Sequence, residues 1–281
     1  MKKLLVLTDF SANASHAAAA ALRLSARLDM DLLLYHTLPY IPLVPTDSDG
    51  SYVSGAERML FDDNRERLMQ ETTALRMLAA KSKGRHIHIG FRNGDGDLGD
   101  VIGELTAETD IEMVIMGGRS GGAMEHLFTG SDTTAVIRKS CKPVWIIPET
   151  ADWDTPQKVV LATDFGAADL PAVDFLIGLS QILGFQLEVV HVVSNGEVTT
   201  EIEPEIVFRK FLAHRNLDCT QVFGADVHHS LHQYCKDNRT DVLAMTHGHH
   251  SFIGRLFGHS ESRDTIADRQ LAVLVFPPGF K

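Results

Sequence analysis

Residues 3–10 read KLLVLTDF, and residues 158–165 read KVVLATDF. After its lysine, each stretch is a continuous apolar run, typical of a strand buried on both faces of a parallel sheet. Each run leads into Thr-Asp-Phe. Helix-compatible segments follow at residues 12–27 and 170–183. The chain therefore contains the same strand, turn and helix twice, at a spacing of 155 residues.

The repeat continues to the end of the chain. Residues 33–36 (LLYH) keep the same spacing to residues 188–191 (EVVH), whereas residues 112–116 (EMVIM) lie 129 residues before DVLAM. The difference between 155 and 129 means that the second copy lacks about 26 residues. Residues 39–63 of the first copy, with their Pro, Ser, Asp and Gly, are predicted to form a long loop that accounts for most of this difference.

Short apolar strands alternate with helical segments in both copies. In the first copy the strands are predicted near residues 3–8, 32–37, 86–91, 112–116 and 143–147. This alternation predicts an α/β fold of two repeated domains, each with a mostly parallel five-stranded sheet covered by helices on both faces, of the Rossmann type. The predicted domains are residues 1–150 and 158–281, joined by a polar linker at residues 151–157.

Composition excludes several classes of function. The 281 residues are 44% hydrophobic and 22% charged, without an apolar run as long as a membrane span. A formal charge of −11 and the lack of a basic cluster argue against nucleic-acid binding. Three widely spaced cysteines predict neither a disulfide framework nor a metal site, and we expect a soluble, cytoplasmic protein.

A glycine-rich segment follows the fourth predicted strand. Residues 116–134 read MGGRSGGAMEHLFTGSDTT and precede a helix-compatible stretch. Glycine lets backbone N–H groups approach a phosphate, and a helix that begins at Ser131 would add its unpaired N–H groups. Because ligands of parallel sheets bind at the carboxyl ends of the strands, this segment predicts a polyphosphate site.

At this point the sequence resembles the universal stress protein family, in its tandem form. Nucleotide-binding members carry Gly, two residues, Gly, nine residues, and then Gly followed by Ser or Thr. Gly117 and Gly130-Ser131 match the first and last places, and Ser120 stands at the middle one. Residues 142–148 (KPVWIIP) resemble the last strand of the family's fold, which is of the adenine-nucleotide α-hydrolase type.

The resemblance implies an ATP site, with or without Mg²⁺, in the first domain. Asp9, directly after Thr8, would accept from the adenine amino group, and Thr37 would line the base or the ribose. Contacts to the ribose and phosphates would come from Met116, Gly117, Ser120, Gly130, Ser131 and Asp132. The implied role is a nucleotide-binding, stress-response regulator with at most weak ATP hydrolysis and no predicted catalytic residues.

The second copy departs from this pattern. In the gapless alignment Thr246, His249 and His259 stand at the places of Gly117, Ser120 and Gly130. We therefore expect a domain that has lost the nucleotide motif and is kept for folding, pairing or another ligand. Members of the family pair through their last strands, which implies an internal pseudo-dimer of the two domains and a further homodimer.

Histidines are dense in the second copy. His228 and His232 would lie one helical turn apart, and His247 and His249 occupy the loop aligned with the glycine segment. They are candidate metal ligands, although no carboxylate or cysteine completes an obvious set, so solvated or locally hydrogen-bonded histidines are the alternative.

Three other interpretations stay open. The glycines could form an ordinary turn, with Asp9 as the N-cap of the first helix. The site could support slow ATP hydrolysis, for which Asp9 and Asp132 are the nearby acids. The chain could also be an interaction scaffold in which neither domain binds nucleotide.

Overall fold

The computed structural model describes residues 1–38, 51–81, 86–108, 110–118, 131–151, 154–194, 203–247 and 271–281, with the backbone alone for residues 51–58, 131 and 194.

The described residues form ten strands and seven helices. The strands are β1 (Lys3–Leu7), β2 (Asp31–Leu38), β3 (Ile89–Asp95), β4 (Ile111–Gly118), β5 (Val144–Pro148), β6 (Lys158–Ala162), β7 (Gln186–Ser194), β8 (Cys219–Gly224), β9 (Val242–Thr246) and β10 (Ala272–Phe276). The helices are α1 (Ala12–Leu28), α2 (Ser51–Lys81), α3 (Leu98–Ala107), α4 (Ser131–Lys139), α5 (Asp169–Leu183), α6 (Glu203–Ala213) and α7 (Val227–Asp237).

All ten strands belong to one sheet, in the order β3-β2-β1-β4-β5-β10-β9-β6-β7-β8. Within each half the neighbouring strands are parallel, and the two halves have the same strand order. The strand order reverses between β1 and β4 in the first half and between β6 and β9 in the second. In such sheets the crevice at these points is the usual ligand site.

The halves meet through their last strands. β5 and β10 are antiparallel, and Trp145 faces Leu274 in the pairing. The linker is fixed to both halves, because His16 Nε2 lies 2.9 Å from the Ala151 carbonyl oxygen and the Asp241 carboxylate accepts from the Gln157 amide at 2.7 Å.

Helices cover both faces of the sheet, as the continuous apolar strands require. In β1, Leu4 and Val6 belong to the apolar cluster on the face covered by α1, α2, α5 and α6, whereas Leu5 and Leu7 belong to the cluster on the face covered by α3, α4 and α7. Successive strand residues point to opposite faces, so each apolar run contributes to two cores. The predicted fold class is confirmed.

Two boundaries differ from the prediction. β3 begins at Ile89 and not near residue 86, because it is Ile89 that pairs with Leu32 of β2. Residues 51–63 were predicted as loop, but they begin α2. The prolines that suggested a loop end at Pro45, and residues 51–63 contain none to interrupt a helix. Residues 39–50 lie outside the described residues.

Candidate functional site

The first-half site residues lie at the carboxyl edge of the sheet. Thr8 and Asp9 follow β1, Thr37 belongs to β2, and Met116 and Gly117 belong to β4, directly beside β1. Ser131 and Asp132 begin α4, and the Asp132 side chain is exposed. Ser120 and Gly130 lie outside the described residues. The described part of the predicted set therefore comes from three adjacent strands and one helix start.

The turn after β1 presents Asp9 to solvent. The Thr8 hydroxyl accepts from the Phe10 amide at 3.0 Å, and the Asp9 carboxylate accepts from the Ser11 amide at 3.0 Å. Phe10 has a φ of 64°, a left-handed conformation that such local hydrogen bonds help to hold. Asp9 is exposed and uses Oδ1 in this turn, which leaves its Oδ2 for a ligand.

Asp9 is not the cap of the first helix. The N-cap of α1 is Ser11, whose hydroxyl accepts from the Ala14 amide at 3.2 Å. Asp9 lies two residues before that cap, so the interpretation of Asp9 as the N-cap is wrong, and Ser11 has that role. The carboxylate belongs to the turn and not to the helix terminus.

Aromatic and cationic side chains support the same turn. The Phe10 ring lies 4.5 Å from the His36 ring and 4.6 Å from the Arg67 guanidinium. His36 Nδ1 is 2.7 Å from the Thr8 carbonyl oxygen. Because a carbonyl can only accept, Nδ1 is the donor in this hydrogen bond.

A carboxylate from α2 completes the turn. Glu71 accepts from the Thr8 hydroxyl at 2.9 Å and from the Ser15 hydroxyl at 3.3 Å. Sequence reasoning missed this residue, since a glutamate on a long polar helix gives no signal of a contact with a strand 63 residues earlier.

Gly117 is required by packing. A Cβ at this position would lie 2.7 Å from both the carbonyl carbon and the oxygen of Asn13, and 2.9 Å from the Ala14 amide nitrogen. Any side chain here would push α1 away from β4. The glycine thus serves the close approach of helix and strand, whether or not a phosphate also contacts its backbone.

Thr37 lies beside a buried tyrosine. The Thr37 hydroxyl is 3.5 Å from the Gly96 carbonyl oxygen, and the tyrosine is Tyr35. Burial raises the pKa of Tyr35 above its usual value of 10.0, so this phenol stays neutral at physiological pH. Since Tyr35 is buried in the core, the half-buried Thr37 is the residue whose hydroxyl β2 presents at this edge.

The second half repeats the turn after β1 in detail. The Thr163 hydroxyl accepts from the Phe165 amide at 2.9 Å, and the Asp164 carboxylate accepts from the Gly166 amide at 3.1 Å. Phe165 also has a φ of 64°, and its ring lies 4.2 Å from that of His191. The two turns are therefore equivalent in structure as well as in sequence.

What surrounds the second turn is different. Asp169 is 1% exposed and accepts from the hydroxyls of Thr163 and Thr246, each at 2.5 Å. Burial raises the pKa of Asp169 above its usual 3.8, and the two threonine hydrogen bonds oppose that rise. This is a network of one buried carboxyl group, the buried Thr163 hydroxyl and the half-buried Thr246 hydroxyl.

The repeat spacings place this network on residues of the first half. Asp169 aligns with Ala14 at the 155-residue spacing, and Thr246 aligns with Gly117 at the 129-residue spacing. Ala14 and Gly117 are also in close contact in the first half. A glycine and an alanine at one contact have thus been exchanged for a threonine and an aspartate, a signal that the aligned sequences already contained.

The candidate metal ligands do not assemble into a site within the described part of the chain. His228 and His232 lie on α7 and His247 follows β9, whereas His249 is outside the described residues. Across the described ranges, no group of three or more His, Cys, Asp or Glu side chains could hold a metal ion.

The sheet and its two similar halves place this chain among the Rossmann-type α/β proteins, with the crevice between β1 and β4 as the candidate site. The model of the universal stress protein family matches residues 1–148, which is more than half of the chain. The chain belongs to the universal stress protein family. A comparison with curated proteins found no match.

Solved structures share the fold over both halves. A universal stress protein from Archaeoglobus fulgidus DSM 4304 is 16% identical, with a TM-score of 0.68, and the match covers 99% of this chain and 98% of that one. A functionally unknown protein from Pseudomonas aeruginosa PAO1 is 14% identical, with a TM-score of 0.56 and coverage of 99% and 93%. At these identities the likeness shows the fold alone.

None of the helices within the described ranges combines the length and the hydrophobicity of a membrane span. Cys141 is exposed, Cys219 and Cys235 are buried, and all three cysteines are free.

Proposed function

We propose that the first half binds an adenine nucleotide, ATP with or without Mg²⁺, at the carboxyl edge of β1, β2 and β4. Asp9 would accept from the adenine amino group through Oδ2, and Thr37 would line the base or ribose. Met116 and Gly117 would contact the ribose and phosphates. The phosphates would be closed in by Ser120, Gly130, Ser131 and Asp132.

The proposal is carried by the difference between the two halves at one contact. In the first half Gly117 brings the end of β4 against the backbone of Asn13 and Ala14 at the start of α1. In the second half the same contact holds Asp169 and Thr246, hydrogen-bonded to each other. A carboxylate fixed beside the crevice would repel a phosphate when ionised, and its partners would lose hydrogen bonds if it moved.

The second half, in this proposal, no longer binds nucleotide and is kept for folding and pairing. The domains are residues 1–150 and 158–281, with residues 151–157 as the linker. Since β5 and β10 pair with each other, the internal pseudo-dimer already uses the last strand of each half. The homodimer predicted from the sequence would have to use another surface.

We place the protein in the cytoplasm as a regulator of the stress response, with nucleotide occupancy as its signal. The three free cysteines agree with a reducing compartment. In this proposal the described site serves recognition, with the Asp9 carboxylate as an acceptor and the Thr37 hydroxyl beside it.

Isothermal titration calorimetry with ATP tests the proposal on two matched variants. Asp9→Ala should weaken binding about tenfold or more, because a hydrogen bond to a charged acceptor is lost. Asp164→Ala removes the equivalent carboxylate of the second half and should leave the affinity unchanged. Equal effects of the two substitutions, or no ATP binding by the unaltered chain, would contradict the proposal. Steady ADP release over time would instead favour the slow ATPase.

A further inference from the structure

Glu71 connects α2 to the turn that carries Asp9. Its two carboxylate oxygens are divided between two elements: Oε2 accepts from Thr8, at the end of β1, and Oε1 accepts from Ser15, in α1. Glu71 is half-buried at this junction. A single side chain of α2 therefore holds the strand end and the following helix together.

The hydrogen bond from Thr8 to Glu71 also fixes the direction of the Thr8 hydroxyl. Its proton points to the carboxylate, which can only accept. Its oxygen is then free to accept from the Phe10 amide at 3.0 Å. That hydrogen bond closes the left-handed turn at Phe10, which in turn sets the position of Asp9. Glu71 thus acts on Asp9 through two groups, the Thr8 hydroxyl and the Phe10 amide.

The second half anchors its equivalent turn differently. The Thr163 hydroxyl donates to Asp169, which lies in the first turn of the helix that directly follows. This anchor belongs to the same strand–turn–helix unit and does not depend on another helix. The anchor of the first half, in contrast, is present only while α2 is docked.

Over residues 59–81, where its side chains are described, α2 has a narrow docking face. Leu68 and Leu75 are the buried large apolar side chains of this part, and Asn64 and Thr72 are its buried polar ones. The Arg76 guanidinium adds a hydrogen bond to the Ile89 carbonyl oxygen at 2.6 Å. Beyond this stripe, large apolar side chains of α2 are exposed, among them Met59, Met69 and Met77. By comparison, α1 buries Leu22, Leu24, Leu28 and five alanines, so the described part of α2 can separate from the sheet more easily than α1 can.

We propose that Glu71 couples the docking of α2 to the conformation of the Asp9 turn, so that the position of α2 regulates the nucleotide site. This inference rests on the proposed function of the first half. Glu71 is a positioning residue: it touches no ligand, and it sets the turn that does. Docked α2 gives a formed turn and a competent site, and displaced α2 releases the Thr8 hydroxyl and loosens the turn.

Hydrogen exchange without nucleotide tests the coupling itself. In Glu71→Ala, the Phe10 and Ser11 amides should exchange about tenfold faster, because the turn loses its anchor. Glu71→Gln keeps the length and can still accept from Thr8 and donate to Ser15, so it should restore most of the protection. The control Glu66→Ala removes an exposed acid of the same helix that accepts from the Gln70 side chain, and it should leave the exchange of both amides unchanged. Equal exchange in Glu71→Ala and the unaltered chain would overturn the inference.

ATP titration of the same variants tests the consequence for the site. Glu71→Ala should weaken binding about five- to tenfold, whereas Glu71→Gln and Glu66→Ala should bind nearly as the unaltered chain does. Unchanged affinity in Glu71→Ala would overturn the regulation. If the unaltered chain binds no ATP, the proposed function fails and the regulation fails with it. The exchange measurement needs no ligand, so it still shows whether Glu71 holds the turn and thereby separates the two failures.

Discussion

The Thr246 hydroxyl donates a hydrogen bond to the Asp169 carboxyl group over 2.5 Å, at the place where the first half brings Gly117 against Ala14. The two halves therefore share a fold and a strand-end turn but differ in what fills the contact between the following helix and the fourth strand. A backbone contact in one half corresponds to a polar network in the other. This contact is the structural basis for assigning different roles to the two halves.

The stability of the second half should depend on the protonation of Asp169. Burial raises its pKa in the folded chain above the usual 3.8, so the folded chain favours the protonated form more than the unfolded chain does. Relative to Asp169→Asn, which does not titrate, the free energy of unfolding should be highest below the unfolded pKa. It should fall as the pH rises through the raised pKa and stay constant above it.

Denaturant-dependent hydrogen exchange in β6 and β9, measured from about pH 3 to pH 7, gives this profile. Asp237→Asn is the control, since it makes the same chemical change at an exposed position of α7. A constant difference between the unaltered chain and Asp169→Asn across this range would show that Asp169 does not titrate differently on folding.

Gly117→Ala should destabilise the first half by about 1–3 kcal/mol, because the added Cβ overlaps the backbone at Asn13 and Ala14. Gly178→Ala is the matched control. It lies within α5 with nothing within 4 Å of an added Cβ, and it should stabilise the chain by up to about 1 kcal/mol. Chemical denaturation of both variants measures the difference.

If Gly117→Ala were as stable as the unaltered chain, the packing explanation of Gly117 would be wrong. The expected loss of stability also means that weaker ATP binding in this variant does not by itself identify a phosphate contact. Asp9→Ala is the cleaner test of the site, because Asp9 is exposed and bonds within its own turn.

The three thiols should differ in reactivity. Cys141 is exposed, whereas burial raises the pKa of Cys219 to about 11 and that of Cys235 to about 12. Because the thiolate is the reactive form, a thiol reagent at about pH 8 should modify Cys141 rapidly and the other two only after denaturation. Rapid modification of all three in the native chain would contradict the described burial of β8 and α7.

The sequence predicted the fold because its main determinants are local and repeated. The runs at residues 4–7 and 159–162 are apolar throughout, which a strand covered on both faces requires, and their spacing reveals the duplication. The prediction for residues 51–63 was wrong because the loop composition of residues 39–63 comes partly from prolines. The last of these prolines is Pro45, and α2 already begins at Ser51.

The site was only partly predictable. Asp9 and Gly117 stand out through family resemblance, but the contact of Glu71 with Thr8 joins residues far apart in the chain, and no periodicity or motif encodes it. Asp169 could have been found by comparing every aligned pair of the repeat, since an aspartate opposite Ala14 accompanies a threonine opposite Gly117.

The number of nucleotides bound per chain tests the central claim most directly. Equilibrium dialysis against saturating ATP should give about one nucleotide per chain, and Asp164→Ala should give the same value. Asp9→Ala should lower the occupancy when measured near the dissociation constant of the unaltered chain. A value of about two per chain, or loss of binding in Asp164→Ala with binding retained in Asp9→Ala, would contradict the assignment of the site to the first half.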